Sequence, residues 1–311
     1  MKKVVLLALV LVLLSTAVVV GLLRPVEASG TIYIRADGSV EGTTDISTVD
    51  NVTYTFTDNI YDEIVVERSN IIIDGAGYTL QGSWSGDGFF WSGINNVTIK
   101  NTNIKNFDTG IWLYSSSNSS ISGNNITNNY YGIWLLDSSN YNSISGNNIT
   151  ANNNEGIRLQ SSSNSSISGN NITNNGDVGI RLLSNSRYNT VTRNNIDNNY
   201  DGIKVQQSHF NTVVGNNIAR NSNYGIFLFI DIYYNAFYHN NFLGNTYHAD
   251  TYIPSVSVWD NGYPSGGNYW SNYTGVDVKS GPNQDQLGSD GIGDTEHVIN
   301  ENNTDNYPLM G

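Results

Sequence analysis

The sequence contains no cysteine, and this absence removes disulfide bridges, thiolate metal sites and cysteine nucleophiles from consideration. Charged residues are also scarce, at 13% of the chain, and acids outnumber bases by 27 to 14. The net charge of −13 argues against nucleic acid as a partner, because a nucleic-acid binder needs a basic surface. An excess of acid on a surface rich in Asn, Ser, Gly and Tyr suits an extracellular protein, although it also serves simple solubility.

Long hydrophobic runs are missing as well, with one exception at the N-terminus. Lys2 and Lys3 precede an apolar run at 4–23, and a small-residue cleavage motif follows at 26–28. This pattern predicts that residues 1–28 form a signal peptide, or a retained membrane anchor, since the run is long enough to span a bilayer. Either reading predicts an extracellular, periplasmic or cell-surface protein that contacts a membrane only through an uncleaved segment.

Potential N-glycosylation acceptors of the form Asn-x-Ser/Thr agree with an exported protein. The pattern is weak evidence in a chain rich in Asn and Ser, and modification of any acceptor depends on the host. The acceptors are Asn51, Asn96, Asn118, Asn125, Asn148, Asn164, Asn171, Asn272 and Asn302.

One motif occurs six times between about residues 95 and 245. Ile-Ser-Gly-Asn-Asn-Ile-Thr occupies 121–127, and the other copies lie at 144–150, 167–173, 191–197, 213–219 and 237–243. The copies are 22 to 24 residues apart, and a fixed period in this range indicates a solenoid, in which each coil contacts its neighbours.

Each repeat holds three short apolar pieces separated by polar turns. In one repeat they are Gly-Ile-Trp-Leu at 110–113 and pieces centred on Ile121 and Ile126. The pieces are β-branched and too short for helices, so they predict strands. Three strands per coil, stacked in register at roughly 4.8 Å, predict an all-β, right-handed parallel β-helix. Leucine-rich repeats lack this Ile/Gly/Asn pattern, and nine-residue calcium repeats have the wrong period.

The repeat predicts the domain boundaries. We expect cap strands at 29–70, the β-helix at 71–245, and a C-terminal cap rich in Gly, Asp and aromatic residues at 246–311. Caps are expected because the open end of a solenoid leaves unpaired backbone groups that invite aggregation.

Two polar columns are repeated so regularly that they indicate architecture. We expect both columns to point inward at corners of the coil, where each side chain bonds to its equivalents above and below. The asparagine column is Asn124, Asn147, Asn170, Asn194, Asn216 and Asn240. The serine column is Ser116, Ser139, Ser162, Ser186 and Ser208.

The repeat, with the entry sequence Ile-Asp-Gly-Ala-Gly-Tyr-Thr-Leu at 73–80, resembles the NosD-like family of right-handed β-helix proteins, within the carbohydrate-binding and sugar-hydrolase (CASH) group. The segments at 266–275 and 290–295 are similar to the tail of archaeal surface members. The resemblance covers roughly 31–311. It implies the fold and an accessory role in copper delivery to nitrous oxide reductase. Copper ligands are few here, because Met310 is the only methionine besides the initiator and the histidines are scattered. The histidines are His209, His239, His248 and His297.

The positions that differ from one repeat to the next carry more information about function than the positions that stay the same. The residue after each Gly-Ile pair points outward and changes from coil to coil, as does the residue two positions later. Aromatic rings pack on apolar sugar faces and arginine binds carboxylates, so this outward strip predicts a site for a polysaccharide or cell-surface glycan. The candidate ligand-binding residues are Trp112, Tyr114, Trp134, Arg158, Arg181, Lys204 and Phe227.

An enzyme is the alternative. Glu155, Asp177 and Asp201 lie just before three of these strands, and with Arg158 and Arg181 they are the candidate catalytic residues. Glycoside hydrolysis needs two carboxyl groups about 5–10 Å apart, which stacked coils supply. The same acids could instead neutralise the neighbouring bases. No motif matches a particular hydrolase, lyase or epimerase, so three hypotheses stay open: a non-catalytic glycan-binding protein, a polysaccharide-active enzyme, and a structural or adhesive surface protein.

Acidic residues gather around glycine turns in the C-terminal cap. Asp277, Asp285, Asp290 and Asp294 offer the oxygen ligands that calcium prefers, so a calcium site is predicted there. The segment lacks the spacing and the distal Glu of an EF-hand, and the alternative is that these aspartates cap turns.

Overall fold

The computed structural model describes residues 30–252 and 255–311. The predicted export segment, 1–28, therefore lies outside the described residues. Within them, no helix is long and apolar enough to cross a bilayer.

The described residues form 35 short strands. In chain order they are β1 (Ile32–Ile34), β2 (Val40–Glu41), β3 (Ile46–Ser47), β4 (Thr53–Phe56), β5 (Ile64–Val66), β6 (Ile71–Asp74), β7 (Thr79–Gln81), β8 (Asp87–Ser92), β9 (Val97–Lys100), β10 (Asn103–Lys105), β11 (Thr109–Tyr114), β12 (Ser120–Ser122), β13 (Asn125–Thr127), β14 (Tyr131–Leu136), β15 (Ser143–Ser145), β16 (Asn148–Thr150), β17 (Ile157–Gln160), β18 (Ser166–Ser168), β19 (Asn171–Thr173), β20 (Val178–Leu183), β21 (Thr190–Thr192), β22 (Asn195–Asp197), β23 (Asp201–Gln206), β24 (Thr212–Val214), β25 (Asn217–Ala219), β26 (Tyr224–Phe229), β27 (Tyr233–Tyr238), β28 (Asn241–Leu243), β29 (Tyr247–Thr251), β30 (Val256–Val258), β31 (Tyr269–Trp270), β32 (Lys279–Ser280), β33 (Gln286–Leu287), β34 (His297–Asn300) and β35 (Asn303–Asp305).

Three long sheets account for most of these strands. Sheet 1 runs β2-β1-β5-β8-β11-β14-β17-β20-β23-β26-β29, sheet 2 runs β3-β4-β6-β9-β12-β15-β18-β21-β24-β27-β30, and sheet 3 runs β7-β10-β13-β16-β19-β22-β25-β28-β31. Each coil contributes one strand to each sheet, and neighbouring coils pair in parallel, for example Ile111 with Ile133. The predicted parallel β-helix with three strands per coil is confirmed.

The core is a set of stacked aliphatic columns. In the repeated coils the inward residue of each strand is fully buried, as Ile121, Ile126 and Ile133 illustrate. The glycine of each Gly-Ile pair has a steric reason, since a Cβ on Gly132 would lie 2.3 Å from the carbonyl oxygen of Gly156. Only glycine allows neighbouring coils to approach so closely at this corner.

The stacked coils extend further in both directions than the predicted limits of 71 and 245. Ile32–Ile34 already pairs in parallel with Ile64–Val66, and Tyr269–Trp270 pairs in parallel with β28. The N-terminal edges of sheets 1 and 2 are covered by β2 and β3, two-residue antiparallel strands. Such short edge strands leave little exposed backbone for edge-to-edge pairing.

Large aromatic residues close the C-terminal end. Phe242 and Trp270 stack at 4.3 Å between ring centroids, and Phe237 and Trp259 stack at 4.6 Å, so wide rings continue the aliphatic columns. The indole N–H of Trp270 donates to Asp305 at 2.8 Å, which ties the β34–β35 hairpin to the last coil. These contacts cover the last coil, and the assignment of 246–311 as a cap stays a prediction.

The polar columns are bonded as predicted. Asn170 is typical: its Nδ2 donates to Ile144 O at 2.9 Å and to Asn194 Oδ1 at 2.9 Å, and its Oδ1 accepts from both the backbone and side-chain N–H of Asn147. In the serine column, Ser139 Oγ donates to Leu136 O at 2.8 Å. A second inward asparagine column, not predicted from the sequence, has the same pattern; it is Asn129, Asn152, Asn175, Asn199, Asn221 and Asn245.

Candidate functional site

The outward strip on sheet 1 exists as an in-register row. The β-pairings place Trp112, Trp134, Arg158, Arg181, Lys204 and Phe227 side by side in successive coils. The row is longer than predicted, because Phe90 pairs with Trp112 and Asp250 pairs with Phe227. Sequence reasoning missed both, since their strands lack the Gly-Ile pair. The run Gly-Phe-Phe-Trp at 88–91 stands 22 residues before the Gly-Ile-Trp-Leu run and could have indicated the first.

Aromatic rings form the N-terminal end of the strip. The Phe90 and Trp112 ring centroids are 5.0 Å apart, and those of Trp112 and Trp134 are 5.6 Å apart with 21° between their planes. At this distance parallel indoles overlap, so each ring covers part of the face of the next. The Nε1 atoms of Trp112 and Trp134 are buried and have no hydrogen-bond partner among the described residues. A ligand would therefore meet ring edges and partial faces, together with the exposed ring of Tyr114.

A buried ion-pair cluster lies at the middle of the strip. The Glu155 side chain is only 1% exposed, and its carboxylate contacts Arg181 Nη1 at 2.6 Å and Arg158 Nη1 at 3.4 Å. One carboxylate thus bridges arginines from two adjacent coils. The predicted catalytic candidates Glu155, Arg158 and Arg181 are brought together, but as a neutralising cluster rather than with a free acid.

Both arginines are held by further contacts. The Arg158 guanidinium donates to Gln160 Oε1 at 3.0 Å and lies over the Trp134 ring, 4.8 Å from its centroid. Arg181 Nη2 donates to Gln206 Oε1 at 3.0 Å, while its Nε has no partner among the described residues. The cations are therefore pre-positioned on the outward face.

Asp201 behaves differently from Glu155. It is buried, and its Oδ1 accepts from Asn223 Nδ2 at 2.9 Å and from the backbone N–H of Tyr224 at 3.2 Å. Burial raises the pKa of Asp201 above the ordinary Asp value, although these hydrogen bonds and the charge of Lys204 oppose the rise. Asp177 is half-buried, lies close enough to raise that pKa further, and makes no side-chain hydrogen bond or ion pair in the described part of the chain.

A second aromatic group forms the C-terminal end of the strip. Lys204 Nζ lies 5.2 Å from the Phe227 ring centroid and 5.5 Å from that of Phe229. Phe227 in turn stacks on Tyr224 at 4.5 Å. Along the helix axis the row therefore consists of an aromatic group, a cationic group and a second aromatic group. The residue two positions later in each strand is also predicted to point outward. Leu183 occupies this position in β20 and is instead buried.

An acidic residue with an altered pKa borders the N-terminal end. Asp87 begins β8, and burial raises its pKa to about 6, with further rises from the nearby carboxylates of Glu63 and Asp108 and an opposing hydrogen bond from Thr109. Sequence reasoning did not single out Asp87, since the run of repeats begins only after it.

Three of the four predicted calcium ligands cap turns. Asp277 accepts from Ser289 Oγ at 2.6 Å and from the N–H of Gly291 at 2.9 Å. Asp294 accepts from the N–H of Lys279 at 3.0 Å, and Asp290 accepts from the N–H of Ile292 at 3.1 Å. The described residues contain no cluster of three or more His, Cys, Asp or Glu side chains suited to a metal. Calcium binding by Asp277, Asp285, Asp290 and Asp294 stays a prediction.

The histidines do not fit a copper site. His239 Nε2 is bonded to Ser265 O at 2.8 Å, and both ring nitrogens of His248 have partners, Asn245 Nδ2 at 3.3 Å and Ser271 Oγ at 3.0 Å. His297 stacks on Trp270 and His209 Nδ1 accepts from a backbone N–H. A copper site of three such ligands is not formed within the described residues.

Comparison with protein families identifies the chain. It matches the family described as "Periplasmic copper-binding protein (NosD)" over residues 39–152 and 69–275, which together cover well over half of its length. The chain belongs to the NosD family. A comparison with curated proteins found no match.

Solved structures share the fold. The Azotobacter vinelandii mannuronan C-5 epimerase AlgE4 A-module has a TM-score of 0.58 at 18% identity, covering 67% of this chain and 64% of that one. A double mutant of the periplasmic alginate epimerase AlgG has a TM-score of 0.51 at 18% identity, covering 73% of this chain and 72% of that one. In another AlgG structure the match spans only 53% of that chain. These similarities establish a right-handed parallel β-helix.

Proposed function

We propose that this is an exported protein that binds a polysaccharide along the outward strip of sheet 1 without catalysing its conversion. The extracellular, periplasmic or cell-surface location is supported by the periplasmic family description and by the N-terminal sequence. The archaeal surface type stays a prediction.

The observation that carries the proposal is the order of side chains along the strip. A cationic centre, Arg158 to Lys204, lies between two aromatic groups, and stacking at roughly 4.8 Å per coil makes the row from Phe90 to Phe227 about 29 Å long. An extended chain of sugars lying parallel to the helix axis would place acidic groups at the arginines and ring carbons at the aromatic ends.

The state of Glu155 favours binding over catalysis. A general acid or nucleophile must be able to reach the substrate, whereas the Glu155 carboxylate is buried beneath two guanidinium groups. Its charge compensates only one of the two arginines, so the cluster keeps a net positive charge toward solvent. The strip is therefore suited to an acidic polysaccharide.

Binding of defined polysaccharides to the purified exported protein tests this proposal. The double variant Arg158→Gln, Arg181→Gln should weaken the binding of a polyuronate by about tenfold or more, because charge-assisted hydrogen bonds contribute about 1.5–3 kcal/mol. Arg220→Gln is the matched control, since Arg220 pairs with Asp197 on sheet 3 and is 69% exposed. Equal losses in the two variants would contradict a site on the strip. A protein that binds no acidic or neutral polysaccharide is a structural or adhesive surface protein instead.

A second candidate function is a polysaccharide-active enzyme, and the pair Asp177 and Asp201 favours it. Asp201 is buried with a raised pKa, Asp177 has no ion pair among the described residues, and Lys204 lies nearby. Two proteins of similar fold are epimerases of alginate or mannuronan. The discriminating assay follows new reducing ends, unsaturated sugars and sugar configuration after incubation with candidate polysaccharides. Activity that Asp201→Asn abolishes while binding persists supports the enzyme; no product with any substrate excludes it.

A further inference from the structure

A column of residues at the corner between sheets 1 and 2 carries information that the outward strip does not. Its members occupy the same position in successive coils and share a left-handed backbone with φ between 56° and 59°; from the N-terminal side they are Asn96, Asn118, Tyr141, Asn164, Tyr188, Phe210 and Tyr234. Asparagine is favoured in this conformation, but an aromatic residue gains nothing from it. The rings in this corner column therefore have another use.

Two asparagines of the corner column belong to N-glycosylation motifs and have side-chain amides that are not engaged by neighbouring residues. Asn118 and Asn164 each begin an Asn-Ser-Ser sequence and are exposed, and their side-chain amides make no hydrogen bond among the described residues. Asn96 differs, because its Nδ2 donates to Asn70 Oδ1 at 2.9 Å. The amide nitrogens of Asn118 and Asn164 are thus free to react.

The N-glycosylation motifs on sheet 3 differ, because their asparagine side chains are hydrogen-bonded to one another. Asn148 Nδ2 donates to Asn125 Oδ1 at 2.7 Å, and Asn171 Nδ2 donates to Asn148 Oδ1 at 2.8 Å, so these amides form a ladder along the outer face. A sugar on any of these nitrogens would interrupt the ladder and crowd the next side chain, which is roughly 4.8 Å away. The fold therefore separates acceptors that have the same sequence motif.

The rings beside Asn164 form a slot. Tyr141 lies one coil before Asn164 and Tyr188 one coil after it, and both rings are exposed, at 61% and 57%. Two coil steps separate the rings by about 9.6 Å. Allowing about 3.5 Å for the thickness of the rings leaves about 6 Å, which is enough for one sugar ring. On the far side of Tyr188 no such space exists, since Phe210 stacks on it at 5.3 Å.

We propose that Asn118 and Asn164 are N-glycosylated and that the first sugar on Asn164 lies between Tyr141 and Tyr188. The donor is a polyprenyl-phosphate-linked oligosaccharide acted on by an oligosaccharyltransferase. A bond forms between Asn Nδ2 and sugar C1 as the bond from C1 to the phosphate oxygen breaks, and the amide proton leaves with the phosphate. The proposal depends on the export proposed above and is independent of ligand binding to the outward strip.

Glycopeptide mass spectrometry of the exported protein, purified from the cells that produce it, tests the proposal. We expect glycan on the peptides containing Asn118 and Asn164 and none on those containing Asn125, Asn148 or Asn171. Ser166→Ala removes the acceptor motif at Asn164 and should remove one glycan mass. Asn164→Asp does the same while retaining a residue that tolerates the left-handed backbone. Thr150→Ala, which removes the motif at Asn148, is the matched control and should change no glycan mass.

A second experiment tests whether the first sugar on Asn164 lies between Tyr141 and Tyr188. In Tyr188→Ala the glycan should remain attached, but a glycosidase should trim it to the Asn-linked sugar at least tenfold faster, because one wall of the slot is gone. The same change at Tyr234, two coils away, should leave the trimming rate unaltered. Exported protein with bare Asn118 and Asn164, or with glycan on the sheet 3 ladder, would overturn the glycosylation and leave export intact. Protein found only in the cytoplasm would overturn both.

Discussion

The inward asparagine columns and the outward strip are built on the same coils, yet they are held together by opposite means. In the column each side chain bonds to an identical one, as Asn170 does to Asn147 and Asn194. In the strip, unlike neighbours meet: Arg158 lies over Trp134 and shares Glu155 with Arg181. Repetition therefore serves the scaffold, and differences between coils create a surface that can distinguish ligands.

The two regions also differ in how much a ligand could use. The column is buried and its amide groups are satisfied from both sides, so nothing remains for a partner. The strip is half-exposed, and the Arg158 and Arg181 side chains are 17% and 20% exposed. Two measurements test this contrast directly, and two more test charged groups beside the strip and in the C-terminal section.

The largest effect is expected in the column. Asn170→Ala leaves the buried backbone N–H of Asn147 without its acceptor and the carbonyl of Ile144 without this donor, whereas Asn147 Nδ2 keeps its bonds to Ile121 O and Ser145 O. The change should lower the free energy of unfolding by about 3 kcal/mol or more, since each buried unsatisfied group costs about 1–3 kcal/mol. Urea unfolding measures the change. Asn171→Ala, on the exposed sheet 3 ladder, is the control and should cost about 0.5 kcal/mol. Similar midpoints for the two variants would remove the distinction between buried and exposed ladders.

The next effect is expected in the strip. Glu155→Gln leaves two partly buried guanidinium groups without their carboxylate and should destabilise the protein by about 2–3 kcal/mol. The control Asp197→Asn removes the partner of an exposed arginine and should cost about 0–1 kcal/mol. Binding of a polyuronate should strengthen in Glu155→Gln, because the cationic centre gains net charge. Weaker binding would argue that the strip is not the site.

A smaller effect concerns pH. The pKa of Asp87 is about 6 in the folded protein, above about 3.9 in an unfolded chain, so the folded state holds the proton more tightly. The resulting stability is fully present below about pH 4 and is lost as the pH rises through about 6, an effect of about 1–2 kcal/mol after allowance for solvent. Melting temperatures across this range should fall less steeply in Asp87→Asn. An unchanged slope would show that Asp87 does not titrate there.

The smallest effect is expected from calcium. The carboxylates of Asp277, Asp290 and Asp294 already accept hydrogen bonds from turns, so an added ion would replace existing contacts. We expect a chelator to lower the melting temperature by about 2 °C, which corresponds to less than about 1 kcal/mol for a protein of this size. Identical melting curves with and without the chelator would rule out the site.

Sequence periodicity was a sound guide wherever successive coils are alike. The columns containing Ile121, Asn124 and Ser116 could be assigned because the same residue returns at a fixed step. The method failed at the ends, where Ile32–Ile34 and Tyr269–Trp270 pair in register without the repeat. Strand pairing at the two ends depends on backbone hydrogen bonds that many sequences can form. No pattern of residues therefore predicts this pairing.

The candidate site shows the same division. Alternation was enough to place Trp112, Trp134 and Arg158 on one outward row. It did not show that Glu155 bridges two coils, nor that Asp201 is buried without an ion pair, because both depend on how side chains of different coils meet.

By itself the sequence determined the β-helix, its period, the inward columns that contain Asn124 and Ser116, and the family to which the chain belongs. These properties follow from local spacing, since a coil that repeats every 22 to 24 residues must stack like on like. Only the tertiary structure decided which charges neutralise one another, which asparagine amides are free, and which exposed rings stand beside them. Most of these contacts join residues more than twenty positions apart in the chain, such as Glu155 and Arg181, where the distance across one coil step sets the contact.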